Sequence, residues 1–250
     1  MGLRDLIRET PLWYALAKMR FWMGSSQSNE VAILDMITAQ VLHPKTFVEF
    51  GYHYSEFNCI KLAKTYRGLV IDGDETNVRR SSHILPAQVE VRQMWITLDN
   101  LQLIRDRFKS GDLGILSVDV DGNDFWFLKS LLPLKPSIVS VEYNASFGRQ
   151  SVSAVYDPHF MRFDKHPSGN YHGASLAAMT KLCADHDMDL VAVSSQGINA
   201  FFVRSELRPA SLPKLDPASA YRESSFRNTY NNSTAEQQWQ AIQDMPLVQI

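Results

Sequence analysis

Gly114-Ile-Leu-Ser-Val-Asp-Val-Asp-Gly-Asn123 is an apolar, β-branched run that ends in two carboxylates spaced i, i+2 and then breaks at a glycine. It predicts a buried strand whose end holds Asp119 and Asp121 together on one face, where the strand leaves its sheet. In open α/β sheets, ligands bind at the mouths of parallel strands. The stretch therefore sets a fold class and a place to look for chemistry.

Working outward, residues 46–51, 68–74, 89–97 and 137–144 have the same short apolar character, and helical faces lie between them. Val31, Leu34, Ile37 and Val41 mark one such face. Cys59, Leu62, Ala63 and Tyr66 mark a second, and Leu101, Ile104 and Phe108 a third with Thr97 as its expected cap. A helix around 125–132 and another through Leu176, Met179 and Cys183 continue the rhythm. Strands alternating with helices predict right-handed crossovers and a mostly parallel sheet. Residues 190–193 and 200–204, joined by Gln196-Gly197, read as a closing antiparallel hairpin. The predicted fold class is α/β: a Rossmann-like, seven-stranded, mostly parallel sheet with an antiparallel last strand and helices on both faces.

Three regions lie outside that rhythm. Residues 1–28 read as an amphipathic helix and linker: Thr10-Pro11 is a cap signal, an aromatic-rich run follows, and 24–28 is Gly/Ser-rich. Arg4, Arg8, Lys18 and Arg20 against Asp5 and Glu9 give residues 1–24 a charge of +2, leaving −4 for the rest of a chain of net −2. That helix packs on the domain or a partner subunit, or rests on an anionic membrane. Residues 29–207 form the main domain, with 145–172 an insertion expected to overhang the site as a lid. Residues 208–250 are a polar, wrapping or loose extension.

A net charge near zero gives no reason to expect a nucleic-acid partner. Two cysteines argue against a disulfide framework and for a reducing compartment. The chain has no bilayer-length apolar run, and Asp5, Arg8 and Glu9 interrupt any secretory core, so it is expected in the cytoplasm, with contact at the inner face of the membrane through residues 1–24 left open. A homo-oligomer is compatible with this composition.

The strand ends are acidic: Glu49 and Gly51, then Asp72, Gly73 and Asp74, then Asp119 and Asp121, then Glu142 and Asn144. One acidic strand end is often a helix cap or a solvated turn. Four in one sheet point to binding or catalysis, because clustered carboxylates shift one another's pKa. Asp72, 21 residues beyond Gly51, is placed to accept hydrogen bonds from ribose hydroxyls. The turn Gly51-Tyr-His-Tyr-Ser-Glu56 holds a single glycine, which suits an adenosyl cofactor without a pyrophosphate.

Phe47-Val-Glu-Phe-Gly51, Tyr66-Arg-Gly-Leu-Val-Ile-Asp-Gly-Asp74, Ser117-Val-Asp-Val-Asp-Gly-Asn123 and Ser140-Val-Glu-Tyr-Asn144 resemble the Rossmann-like S-adenosylmethionine-dependent methyltransferases, the FkbM-type and glycan methyltransferases above all. Tyr171-His-Gly-Ala-Ser-Leu176 and Gly197-Ile-Asn-Ala-Phe-Phe-Val-Arg204 extend the likeness, which covers roughly residues 29–207. It implies S-adenosyl-L-methionine as cofactor and methyl transfer to a hydroxyl of a small-molecule or glycan acceptor. It puts Glu49 and Gly51 at the methionine end, Asp72 on the ribose with Gly73 and Asp74 beside it, and Asp119 near the amino group. The contacts of Tyr52 to Ser55 depart from the family's glycine-rich loop. Candidate bases are Asp121 and His172, then His53 and His166. A divalent cation, Mg²⁺ or Mn²⁺, held by Asp121, Glu142 and Asn144 is the alternative way to activate the acceptor. Tyr156, His159 and Arg162 in the insertion suit a polyhydroxylated acceptor, with Asp157 and His166 beside them, and would equally suit a lid that only packs. Asp119-Val-Asp121 also matches the D-x-D of metal-dependent glycosyltransferases. A third reading is a methyltransferase fold kept as a non-catalytic binding module. An EF-hand loop fails, because the twelfth position is Ser130.

Overall fold

The computed structural model describes residues 10–23 and 29–250. Seven strands form one sheet: β1 (Thr46–Phe50), β2 (Arg67–Asp72), β3 (Val89–Gln93), β4 (Ile115–Val118), β5 (Ile138–Glu142), β6 (Met188–Val193) and β7 (Asn199–Arg204). Their order is β3-β2-β1-β4-β5-β7-β6, with β7 antiparallel to both neighbours and the other pairings parallel. This is the expected Rossmann-like, seven-stranded, mostly parallel sheet, and its strand order reverses between β1 and β4.

The helices are α1 (Pro11–Met23), α2 (Glu30–Thr38), α3 (Glu75–Ile84), α4 (Gln102–Arg107), α5 (Asp124–Leu131), α6 (Arg162–Lys165), α7 (Leu176–Ala184), α8 (Pro217–Ala220), α9 (Ser225–Tyr230) and α10 (Ala235–Ile242). Strand alternation sends side chains to two cores. Val48, Phe50, Val118 and Phe202 pack on one face of the sheet, and Phe47, Val70, Ile115 and Phe201 on the other. Thr10 caps α1, accepting the Trp13 backbone N–H at 3.2 Å. The linker expected at 24–28 and the basic residues Arg4 and Arg8 lie outside the described residues. Among the described residues, no helix is long and apolar enough to cross a membrane.

Several expectations change. The face marked by Cys59 and Tyr66 belongs to turns and a 3-10 segment (Leu62–Lys64), not an α-helix. Ahead of it the chain turns back on itself through a bridge between His53 and Glu56. Thr97 does not cap α4: its own N–H donates to Asn100 Oδ1. Cys59 and Cys183 are both free and buried.

The insertion is ordered by the C-terminal extension. Strand Val152–Ala154 pairs antiparallel with Leu247–Gln249. Phe147, Phe160 and Tyr171 of the insertion bury themselves with Ile242, and Trp239 packs against them. The extension wraps, and in doing so it joins the site.

Candidate active site

A cavity of about 700 Å³ opens where β1, β2, β4 and β5 end. Glu49, Gly51, Tyr52, Asp72, Gly73, Asp74, Asp119, Asp121 and Glu142 all line it, so the sheet brings these nine predicted residues together. Arg162 joins them from the insertion. His172, Asn144, Tyr156, His159 and His166 do not line it.

Gly51 makes the close approach of β1 to β4 possible. Its φ is +68°, and a Cβ there would lie 1.4 Å from the Asp119 carbonyl oxygen. Gly51→Ala adds that collision to the roughly 1–3 kcal/mol of left-handed strain. It should lower the urea midpoint sharply or abolish soluble protein; an unchanged midpoint would refute the close packing of the two strand ends.

Both Glu49 oxygens are held by backbone, accepting from the Asn58 N–H at 2.7 Å and the Cys59 N–H at 2.9 Å. Burial raises its pKa, partly offset by these two bonds. Asn58, which sequence analysis missed, reaches across the strands to Ser117 and Ser140 and accepts from Asn199 Nδ2. Glu49 therefore fixes the turn after β1 as well as lining the cleft.

At the end of β2, Asp72 Oδ1 accepts the Asp74 N–H at 2.7 Å. Burial raises the Asp72 pKa against that bond. Asp74 is the N-cap of α3, accepting the Asn77 N–H at 2.6 Å, so its first job is structural. The Asn77 amide in turn donates to the Tyr52 carbonyl, which ties α3 to the turn after β1. Tyr52 is buried against Phe57, and burial raises its hydroxyl pKa.

The two aspartates of the opening stretch part company. β4 ends at Val118, and Asp121 has a left-handed φ of +56°. Its carboxylate is exposed and ion-paired with Arg162. Asp119 instead lies with Asp124 and Glu142, their carboxylate oxygens within 4.8 Å of one another. The shared strand face fails because Asp124, another residue missed, rebuilds the loop. This buried side chain accepts the Val120 N–H at 2.8 Å and the Gly122 N–H at 3.0 Å. Desolvation, then Glu142, pushes the Asp124 pKa to about 8, and desolvation followed by Glu142 raises Asp119 as well. An acid just inside a helix after a Gly-Asn break was the available signal.

Glu142 is buried, and Oε1 accepts from Arg227 Nη2 at 2.7 Å. Burial works to raise its pKa, but the neighbouring His172 ring and the Arg227 charge outweigh it and bring the carboxyl to about 2. Among the described residues, Glu142 Oε2 has no hydrogen-bond partner. Arg227 comes from α9 in the extension and lines the cleft with Ser224 and Phe226. No local pattern could have announced it, since Glu142 is 85 residues away in sequence.

His172 lies away from the cavity. It is fully buried behind Glu142, its Nε2 3.8 Å from Oε1, and desolvation followed by the Arg227 charge lowers its pKa to about 4. Its ring does not line the cavity. Asn144 does not line it either: Oδ1 accepts the Ser146 N–H and Nδ2 donates to the Asn170 and His172 carbonyls. Tyr156 accepts the Leu98 N–H and packs on Phe127, while His159 is exposed with its N–H donating to Asp157. These two serve the lid. His53 lies at the cleft wall beside Ser55, and His166 bonds Ser168. Trp95, also missed, fastens the lid to the β3 end through Nε1–H to the Pro158 carbonyl at 2.7 Å.

The fold resembles several solved methyltransferase structures. The N-terminal domain of EvdMO1 with S-adenosylhomocysteine bound gives a TM-score of 0.46 at 11% identity, covering 81% of this chain and 95% of that one. A methyltransferase dependent on S-adenosylmethionine from Mesorhizobium loti gives 0.47 at 11% identity, over 71% and 99%. The O-methyltransferase from Bacillus cereus in complex with S-adenosylhomocysteine gives 0.44 at 18% identity, over 77% and 80%. No protein-family profile and no curated protein matches the sequence. At these scores no residue role transfers from those proteins to this chain.

Proposed function

We propose that the protein is an S-adenosylmethionine-dependent O-methyltransferase acting on a hydroxyl of a sugar or glycan. The observation that carries this reading is Asp72, at the end of β2 in a cleft that opens at the strand-order reversal between β1 and β4. That is where open α/β sheets take nucleotide-containing ligands, and a carboxylate there accepts ribose hydroxyls. The single glycine of the turn favours adenosine attached to something other than a pyrophosphate.

In this reading the acceptor oxygen attacks the cofactor's methyl carbon in line. The new O–CH3 bond forms as the S–CH3 bond breaks, leaving S-adenosylhomocysteine. The acceptor's proton passes to Asp121, whose exposed carboxylate lines the acceptor end. Positioning supplies most of the rate, because the sulfonium is already a strong electrophile. Asp121 with Arg162 and Glu142 with Arg227 set acceptors beside donors around that end, a pattern suited to several hydroxyls on one substrate. Trp95, Phe160 and Phe226 add apolar wall for a sugar ring's less polar face.

One observation favours a second version of the same reaction. Asp119, Asp124 and Glu142 offer hard oxygen donors close enough to share an ion, and Glu142 Oε2 has no partner among the described residues. A Mg²⁺ or Mn²⁺ ion there would polarise the acceptor hydroxyl. Arg227 already brings a cation to Glu142, so the metal-free version is preferred. Activity that survives excess EDTA fits it.

Thermal unfolding with and without ligand tests the reading. S-Adenosylhomocysteine at about 100 times its Kd should stabilise the protein by about 2.7 kcal/mol. UDP-sugars with Mn²⁺ should leave it unchanged. No response to either cofactor form at millimolar concentration sinks the methyltransferase, and a response to the UDP-sugar alone favours the D-x-D glycosyltransferase. Asp121→Asn should abolish turnover while keeping cofactor affinity. Binding without turnover on any hydroxyl acceptor would leave a non-catalytic module.

A further inference from the structure

α1 has two apolar faces, and among the described residues only one of them is covered. Trp13, Tyr14, Ala17 and Phe21 turn toward the domain and pack on its core. Trp13 meets the Tyr54 ring edge-on at 5.6 Å, and the Arg80 guanidinium lies 5.6 Å from both rings. Tyr14 stacks on His83 at 4.7 Å. This face is locked, so the helix cannot roll over to hide the other.

The other face carries Leu12, Leu16 and Met19, spaced i, i+4 and i+7 and therefore in one stripe along the helix. They are 71%, 53% and 58% exposed. Ala15 beside them is exposed too, as is Lys18, about a quarter-turn round the helix from Met19. A stripe of long apolar side chains held out to solvent by a locked helix marks a docking surface.

We propose that α1 docks the protein on an anionic lipid bilayer, with Leu12, Leu16 and Met19 seated at the headgroup–acyl boundary. Charge selects this occupant. Residues 1–24 carry +2 and the rest of the chain carries −4, so an anionic surface attracts this segment and repels the remainder. A second copy of the chain seated on the stripe through a two-fold axis would instead bring together two copies of a helix that carries two basic residues and no acidic one. With 13 residues, α1 is about 20 Å long, which suits lying on a membrane and not crossing it.

The full chain is tested by co-sedimentation with vesicles of phosphatidylcholine and phosphatidylglycerol, and with vesicles of phosphatidylcholine alone. It should pellet with the anionic vesicles and stay largely in solution with the neutral ones. Raising salt from about 0.1 M to about 0.5 M should weaken the binding, as screening requires. The triple variant Leu12→Ser, Leu16→Ser, Met19→Ser changes only solvent-facing positions. It should keep the wild-type unfolding temperature and lose at least about tenfold in bound-to-free ratio. The proposal is overturned if the wild type ignores anionic vesicles, or if the folded triple variant binds them as well as the wild type. It is equally overturned if light scattering finds a dimer that the triple variant dissolves while vesicle binding is absent, because the occupant is then a second copy.

Discussion

Replacing Arg227 with methionine should destabilise the protein by about 3–5 kcal/mol at neutral pH, the range expected when one partner of a buried ion pair is removed. Methionine fills much of the same volume, so the loss comes from Glu142, left ionised and buried without its 2.7 Å counter-charge. The pH dependence identifies that cause. In the wild type the Glu142 carboxyl is held at about 2 against an ordinary 4.5, so its contribution is present above about pH 4.5 and is lost as pH falls toward 2. Without Arg227 burial dominates and the carboxyl titrates higher, so acidification neutralises it and relieves the strain. The gap between variant and wild type should therefore narrow as pH falls below neutral. Urea unfolding at several pH values reads this directly. Adding Glu142→Gln to the variant should recover much of the loss, as a double-mutant cycle requires for directly coupled side chains. A single-variant loss under about 1 kcal/mol would mean that the pair is solvated and worth no more than a surface bridge.

Arg227 also shows where sequence reasoning stops. The sheet was legible because its signals are local: β-branched runs, helical spacing, and a turn at Gln196-Gly197 that reverses β7 against β6. The acidic strand ends were legible for the same reason, since strand order alone carries Glu49, Asp72, Asp119 and Glu142 to one cleft. What could not be seen depends on which lone pairs are already taken. Asp121 and Asp124 are both aspartates after a β-run, yet Asp124 turns inward to hold two loop N–H groups and Asp121 is left in solvent. His172 and Asn144 carry the right chemistry in the right sequence neighbourhood, but they contact each other, and the Asn144 amide is taken up by Asn170 and Ser146, so neither lines the cleft. Arg227 is harder still. Its role comes from an extension whose path is set by the Tyr143 hydroxyl on the Arg222 carbonyl and by a ribbon at Val152–Ala154.

Asp124 should make the protein lose stability as pH rises from about 5 to 8. Its folded pKa of about 8 exceeds the ordinary 3.8, so between those values the native state keeps a proton that the unfolded chain has released. The stability this proton represents is fully present below the unfolded pKa and is lost by the time pH passes the folded one, with a slope approaching about 1.4 kcal/mol per pH unit. Asp119, raised by the same burial, pulls in the same direction. Glu142 titrates too low to act in this window. Asp124→Asn removes the titration while keeping shape. The amide oxygen can accept one of the two loop N–H groups, but the amide nitrogen opposes the other, so the variant should be weaker by about 1–3 kcal/mol at pH 5. Because it no longer carries the slope, which removes about 3–4 kcal/mol from the wild type between pH 5 and 8, it should draw level with the wild type below pH 8 and be the more stable of the two at pH 8. Two parallel stability curves across that range would mean that Asp124 does not titrate between those values. If the curves converge, the cluster binds a proton that it releases just above neutrality. The cleft then becomes more negative as pH rises through about 8, and a positively charged sulfonium should bind more tightly there than at pH 6.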